Sequence, residues 1–354
     1  MLIAVQPDTF GFTERENSAL QWTHFLREAG QEVRTVDVFR HDILEQLEGC
    51  RGLMWRTANA SGDRAVARRL LPVLENELGL EVYPSHACVW HYDDKLAQYY
   101  LLKAVGIPTP DTWVFWRKDD ALEFARNASY PLVLKLAMGS GSSNVRLIRD
   151  FTQARRWIKL LFSSGVFTLD TVRFSDKLKD RAKRKLKKIL RGEIVPEYYY
   201  DLQKNYIIFQ EFLHENPFDY RITVIGNRVF GLRRYNRPND FRASGSGLLD
   251  YDREQIEQEM LRLSCRLAKR LRMHTVAIDG LKRNGQHVVS EISYTFPSVM
   301  VADSPGHWIL EGEPDTGELK WCEGPMPPEK AEVEDFLERL KTPSDPSDPS
   351  DQSD

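Results

Sequence analysis

The spacing of apolar residues changes along the chain. Up to about residue 90, short β-rich runs at 2–5, 32–38, 52–56 and 80–83 alternate with helical runs at 16–29, 42–47 and 63–78. Such alternation predicts a small parallel sheet covered by helices, with ligands beyond the carboxyl ends of its strands. That rule puts the loop 7–15 and Trp55-Arg56 at the functional edge, Arg56 reading either as a substrate-binding group or as an ordinary surface arginine. Asp93 or Asp94 then caps a helix that Gly106 stops in the left-handed conformation, with Pro108 and Pro110 forbidding continuation. Lys95 lies in the first turn, where a cation opposes the helix dipole and hints at an anion nearby.

From Tyr130 to Ile148 the period falls to two. Leu132, Leu134 and Leu136 alternate with Val133, Lys135 and Ala137, so Lys135 emerges on the face opposite the leucines. The segment Gly139-Ser140-Gly141-Ser142-Ser143-Asn144 joins this strand to the next. After a helical piece at 152–161, RFSDKLKDRAKRKLKKILRG carries Leu178, Ala182, Leu186, Ile189 and Leu190 as a narrow apolar stripe on a basic helix. Residues 205–213, NYIIFQEFL, read as an apolar strand, 219–235 as a hairpin about Gly226-Asn227, and 253–271 as a helix.

The stretch 275–293, TVAIDGLKRNGQHVVSEIS, is a hairpin by pattern, because Asn284-Gly285 is a strong turn signal between two β-rich runs. Two registers are open. A two-residue turn opposes Asp279 to Ser290 and sends Glu291 to the other side of the sheet. A three-residue loop with Gly285 in a bulge opposes Ala277 to Glu291 and Thr275 to Ser293. Asp279, Glu291 and Ser293 then share one face, and Val276, Ile278, Val288 and Ile292 share the other. In that second register two carboxylates and a hydroxyl form an oxygen donor set for a hard cation, Mg²⁺ by default; the alternative is a surface hairpin with solvated acids.

Composition narrows the partners. The formal net charge of −3 gives no global attraction to nucleic acid or membrane. The basic helix at 173–191 is therefore the one local candidate for contact with an acidic polymer or an anionic membrane surface, against solvation as the alternative. Cys50, Cys88, Cys265 and Cys322 form no CxxC pair, which argues against a zinc site or disulfide framework and for a reducing cytoplasm. MLIAVQPDTF reads as a first strand, not a signal peptide, and no run reaches the roughly 18 apolar residues of a spanning helix. The last helix, 329–341, has Val333, Phe336, Leu337 and Leu340 at core spacing, and the acidic Ser-Asp-Pro tail 342–354 is expected to be disordered.

The glycine- and serine-rich segment after Lys135 lets backbone N–H groups approach a phosphate, although its lysine precedes the glycines and no helix follows, unlike a P-loop. The strand end Gln210-Glu211-Phe212-Leu213 can offer main-chain groups to a purine edge. Arg221, and Arg242 in FRASGSG, are guanidiniums suited to phosphate. In this order, DDKLAQYYLLKAVGIPTP, the Lys135 strand with GSGSSN, FQEFL, DYR, FRASGSG, and AIDG followed by SEIS resemble the ATP-grasp superfamily, in its glutathione synthetase-like and glutamate ligase-like branch of carboxylate–amine ligases. The resemblance covers roughly residues 1–310.

It implies an α/β and α+β ATP-grasp fold: an N-terminal α/β domain over 1–90, a central lid over 91–205 with a basic helical insertion at about 151–200, and a C-terminal domain over 206–341. It further implies that Lys95 and Lys135 bind ATP and that Gly139, Ser140, Gly141, Ser142 and Ser143 cover its phosphates. Gln210, Glu211, Phe212 and Leu213 would meet adenine, and Glu215 or Asp219 the ribose. Arg221 and Arg242, with Lys135, would act on the γ-phosphate and acyl phosphate, while Asp279, Glu291 and Ser293 would hold one or two Mg²⁺. Ser293 stands where the family's E-x-N pattern has asparagine; a hydroxyl is a shorter, weaker ligand than an amide carbonyl, so a second Mg²⁺ would be loosely held or absent. The implied activity is amide formation between a small-molecule carboxylate and an amine. A kinase of the same fold and a non-catalytic ATP sensor are the rivals, and nucleic acid is not an expected partner.

Overall fold

Four strands of the N-terminal third are too short to form a sheet by local preference alone, and pairing in parallel between helices is what stabilises them. In the computed structural model, which describes residues 1–8, 17–57, 61–139, 144–167 and 202–341, β1 (Leu2–Val5), β2 (Glu32–Thr35), β3 (Gly52–Met54) and β4 (Glu81–Tyr83) form a parallel sheet in the order β2-β1-β3-β4. They alternate with α1 (Ser18–Glu28), α2 (Ile43–Gln46) and α3 (Ser61–Asn76), as the pattern of the sequence predicts. Two short helical pieces follow, α4 (His86–Val89) and α5 (Lys95–Ala104). Asp94 caps α5 by accepting from the Ala97 N–H at 3.1 Å, and Gly106 beyond its end has φ +67°.

The second sheet is antiparallel, in the order β5-β10-β6-β7, from β5 (Thr112–Phe115), β6 (Leu132–Lys135), β7 (Val145–Ile148) and β10 (Ile207–Glu211). One face, with Leu132, Leu134, Ile207 and Phe209, packs on α6 (Lys118–Asn127) and α7 (Phe151–Leu161). Its other face carries Lys135 toward the C-terminal sheet. A small pair, β8 (Val166–Phe167) and β9 (Leu202–Gln203), flanks the region of the basic helix, which, like Ser140–Ser143 and the tail 342–354, lies outside the described residues. Because β10 lies between β5 and β6, the change of sheet comes after Glu211 and not at residue 206.

The third sheet holds β11 (Phe218–Ile225), β12 (Arg228–Tyr235), β13 (Leu249–Asp250), β14 (Thr275–Arg283), β15 (Gln286–Ser293), β16 (Gly306–Glu311) and β17 (Glu318–Glu323), with β15-β14-β11-β12-β16-β17 as its main path. Its inner face, including Tyr220, Ile222, Val276, Ile278, Val289 and Ile292, packs on α8 (Gln258–Arg270). The short α9 (Ser298–Ala302) follows β15. The final helix, α10 (Pro328–Arg339), returns to the first sheet: Val333, Phe336 and Leu337 pack with Ile3, Trp22 and Met54. Among the described residues no helix is long and apolar enough to cross a membrane.

Candidate functional site

Strand register builds the site. Across β12, β11, β14 and β15, Arg234 opposes Asp219, Arg221 opposes Asp279, and Asp279 opposes Glu291. Opposed residues share a face, and residues two apart on one strand share it too, so these five charges form one row. The row lies on the floor of a cavity of about 630 Å³ between the second and third sheets, with Lys135 on the facing wall.

The hairpin reaches this register by a route neither sequence-based alternative contains. Arg283 pairs with Gln286 around a two-residue turn in which Asn284 and Gly285 have φ +51° and +80°, the pattern of a type I′ turn. That turn alone would oppose Asp279 to Ser290. A bulge between Asp279 and Gly280 then leaves Ser290 unpaired, its Oγ donating to the Asp279 carbonyl at 3.1 Å, and Asp279 meets Glu291 instead. The extra residue also exchanges two valines: Val288 opposes Leu281 on the cavity side, and Val289 joins the core. The expectation that Ala277 opposes Glu291 is thus corrected to Ala277 opposite Ser293.

Cations crowd the two carboxylates. Asp279 Oδ2 lies 2.9 Å from Arg234 Nη2, and Oδ1 lies 3.0 Å from Arg221 Nε, yet that second pair has no hydrogen-bond alignment and both atoms are buried without one. Burial would raise the Asp279 acid, but Arg221, Arg234 and then Lys135 hold it below the ordinary carboxylate range. Asp219 accepts bidentately from Arg234, Nε to Oδ1 at 2.8 Å and Nη2 to Oδ2 at 2.7 Å. Glu291 Oε1 lies 3.0 Å from Lys95 Nζ. Lys135 sits across the cavity, its Nζ 3.4 Å from the Ser290 carbonyl; burial lowers it to about 8, opposed by Glu291 and reinforced by Lys95.

An oxygen-only donor set on one face, with a buried anionic oxygen left unaligned, suits a hard divalent cation. Ser293 fits as the third donor: its Oγ donates to the Thr295 carbonyl at 2.7 Å, which leaves its lone pairs for another partner.

At the other end of the cavity, Gln210, Glu211, Phe212 and Leu213 form the wall. Gln210 Nε2 donates to Thr112 Oγ1 at 2.9 Å. The Glu211 N–H is bonded to the Asp111 carbonyl at 2.8 Å.

Several of the expected site residues have partners within the protein. Lys95 is buried behind the wall, donating to the Gly139 carbonyl at 3.0 Å, so it braces Glu291 and Gly139 instead of facing the cavity. Asp219 has its carboxylate engaged by Arg234, and Glu215 is exposed and outside the cavity lining, whereas Asn216 lines it. Arg242 reaches the cavity wall, but its guanidinium contacts Asp240, Nε to Oδ2 at 2.9 Å and Nη2 to Oδ2 at 2.5 Å. Arg234 is the residue the sequence reading left without a role. Its signal was the dipeptide Arg233-Arg234, since adjacent strand residues point to opposite faces and one arginine must turn inward.

A family model described as a RimK-like ATP-grasp domain matches residues 179–301. The alpha-aminoadipate–LysW ligase LysX of Saccharolobus solfataricus is 30% identical over 82 residues, covering 23% of this chain and 29% of that protein. Three solved structures share the fold at low identity. The macrocyclase MdnC bound with precursor peptide MdnA from Microcystis aeruginosa MRC has a TM-score of 0.57 at 13% identity, covering 96% of this chain and 100% of that one. D-cycloserine synthetase DcsG has a TM-score of 0.57 at 12%, with 96% and 100% covered. The ATP-grasp ligase PsnB complexed with minimal precursor has 0.54 at 16%, with 96% and 99% covered. Residues 179–301 thus match a RimK-like ATP-grasp family model, and the chain shares the fold of these three structures at under 25% identity.

Proposed function

We propose that the protein is an ATP-dependent ligase that joins a small-molecule carboxylate to an amine. The observation that carries this reading is the row Arg234–Asp219, Arg221–Asp279–Glu291 under Lys135, a charged floor at one end of a cavity whose other end is a strand edge with Phe212 and Leu213. Adenine would occupy the strand end, and the triphosphate would run over the floor. The substrate carboxylate attacks the γ-phosphorus, ADP leaves, and the resulting acyl phosphate is opened by the amine, which releases phosphate and a proton as the amide forms.

The chain has no covalent work in these steps. Lys135 and Arg221 offset charge on the transferring phosphoryl group, and the walls exclude water that would hydrolyse the acyl phosphate. Asp279, Glu291 and Ser293 are the residues that would hold one or two Mg²⁺. Bound there, the ion supplies Lewis-acid neutralisation of phosphate oxygens. Four cysteines that form no disulfide support a reducing, cytoplasmic setting.

The test is ADP formation across mixed panels of carboxylic acids and amines, with hydroxylamine as a trap. A productive acid should give ADP and a hydroxamate, and Asp279→Asn should lose at least about a hundredfold of that rate. A stable phosphorylated alcohol would identify a kinase instead. ATP binding without phosphate transfer under any mixture would identify a sensor.

A further inference from the structure

β15 is the edge of the third sheet, and the bulge that brings Asp279 opposite Glu291 interrupts its ladder with β14 at Ser290. A bulge bends its strand and leaves the extra residue unpaired. Glu291 and Ser293 follow directly, so the sheet holds these two oxygen donors from one side only. The free side is closed by a side chain. Gln98, on α5 and 4% exposed, accepts from the Ile292 N–H through Oε1 at 3.4 Å and donates from Nε2 to the Ile292 carbonyl at 2.9 Å. Nε2 also donates to the His91 carbonyl at 3.2 Å, in the turn that leads into α5. A second strand would pair with Ile292 through the same two bonds. Here one amide replaces that strand, at the single residue between the two donors.

The same helix reaches Glu291 directly. Lys95, three residues before Gln98 and so on the same face of α5, places Nζ 3.0 Å from Glu291 Oε1. Asp94 fixes where this turn begins, accepting from the Ala97 N–H at 3.1 Å. Beyond the helix, the Pro108 carbonyl accepts from the Val289 N–H at 2.8 Å. The helix and its exit thus hold β15 on both sides of the bulged Ser290. Because the Ile292 side chain is buried in the core, its main chain is the lever through which Gln98 acts on Glu291 and Ser293.

We infer that Gln98 is a positioning residue for the divalent cation: its amide stands in for a missing strand and sets where Glu291 and Ser293 present their oxygens relative to Asp279. The inference rests on the reading of this cavity as a site for Mg²⁺ and a nucleotide. Groups behind the ligands tune metal affinity by orienting them. Mg²⁺ is the more sensitive ion, because it requires a near-octahedral shell at about 2.1 Å whereas Ca²⁺ accepts a larger and looser one. Loosened donors therefore penalise Mg²⁺ more than Ca²⁺.

The test titrates the full chain by calorimetry with an ATP analogue carrying a nonhydrolysable β–γ bridge, across a Mg²⁺ series and a Ca²⁺ series, and separately with AMP free of divalent ions. Gln98→Met occupies a similar volume without the hydrogen bonds. It should raise the Mg²⁺ concentration for half-maximal analogue binding about tenfold, the Ca²⁺ concentration by no more than about threefold, and leave AMP affinity unchanged. Gln98→Asn keeps the amide but falls one methylene short of Ile292, and should show the same order with smaller losses. Should the methionine variant not fold at the assay temperature, the asparagine variant decides. An unchanged Mg²⁺ requirement, equal losses for the two ions, or a matching loss for AMP overturns the positioning role. If the unmodified protein binds the analogue without a divalent ion, or not at all, the reading of the cavity falls first and the inference with it.

Discussion

Asp279 and Glu332 are both buried carboxylates, 9% and 7% exposed, one on the cavity floor and one on α10. Asp279 faces two guanidiniums and stays below the ordinary carboxylate range. Glu332 accepts from the Trp22 indole Nε1 at 2.7 Å, has Glu329 nearby, and is pushed up to about 8 by burial and by that second acid. Burial alone favours the neutral form of any acid. Charge survives only where strand register delivers cations, and here that place is the one where a metal–phosphate group would be met. On α10 the same burial, reinforced by Glu329, favours the neutral acid against the weaker pull of the Trp22 hydrogen bond and of Arg56.

The sharpest way to break the comparison is to take away the compensating charge. Arg234→Met leaves Asp219 and Asp279 with Arg221 as their close guanidinium, and the fold should lose about 3–5 kcal/mol in urea denaturation. Adding Asp219→Asn to that variant should restore part of the loss, because one uncompensated carboxylate is gone. A single variant as stable as the parent would mean that the row of charges is not held together as described.

The second test concerns the neutral acid. Because the folded state keeps the Glu332 proton up to about 8 while an exposed glutamate releases it near 4.5, the folded form binds the extra proton between those values. Stability from this group is therefore undiminished below about 4.5, falls as pH rises toward about 8, and is level above it. Glu332→Gln has no proton to lose, so it should melt with the parent at pH 5 and above it at pH 9, by on the order of 1–3 kcal/mol after discounting for relaxation of the site. Parallel melting curves across that range would show that Glu332 is charged in the fold.

How much of this was written locally in the chain differs between the same two regions. The strand–helix alternation, the Asp94 cap, the Gly106 stop and the outward face of Lys135 follow from periods and capping chemistry that operate within a few residues. The Ser290 bulge does not. β15 is an edge strand whose free side is held by Gln98, which donates to the Ile292 carbonyl at 2.9 Å, and by the Pro108 carbonyl, which accepts from the Val289 N–H at 2.8 Å. Those partners are remote in sequence, so the turn residues could not reveal that the register shifts beyond Asp279. Arg234 was hidden for a similar reason, its role depending on β11 lying between β12 and β14. The docking of α10 on the first sheet was hidden too, since an apolar stripe says that a helix packs but not on what.

The smallest effect belongs to a third carboxylate, which is partly open to solvent. Glu211 Oε1 lies 2.9 Å from Arg283 Nε and accepts from the Asp111 N–H at 2.9 Å, while Arg283 also contacts the Asp111 carboxylate. This cluster ties the tip of the β14–β15 hairpin to the strand end of the cavity, and Asn216 reinforces the tie by bonding both the N–H and the C=O of Lys282, at 2.7 and 2.9 Å. Its side chains are 23–52% exposed, so solvent screens the pairs and their contribution should stay within about 0–1 kcal/mol. Arg283→Met should accordingly leave the melting temperature almost unchanged and weaken nucleotide binding about twofold to fivefold, with ATP and AMP affected alike because both share the adenine end. A loss comparable to that of Arg234→Met would show that the tip pairs are desolvated when nucleotide is bound, and the contrast between buried and screened charge would then fail at this end of the cavity.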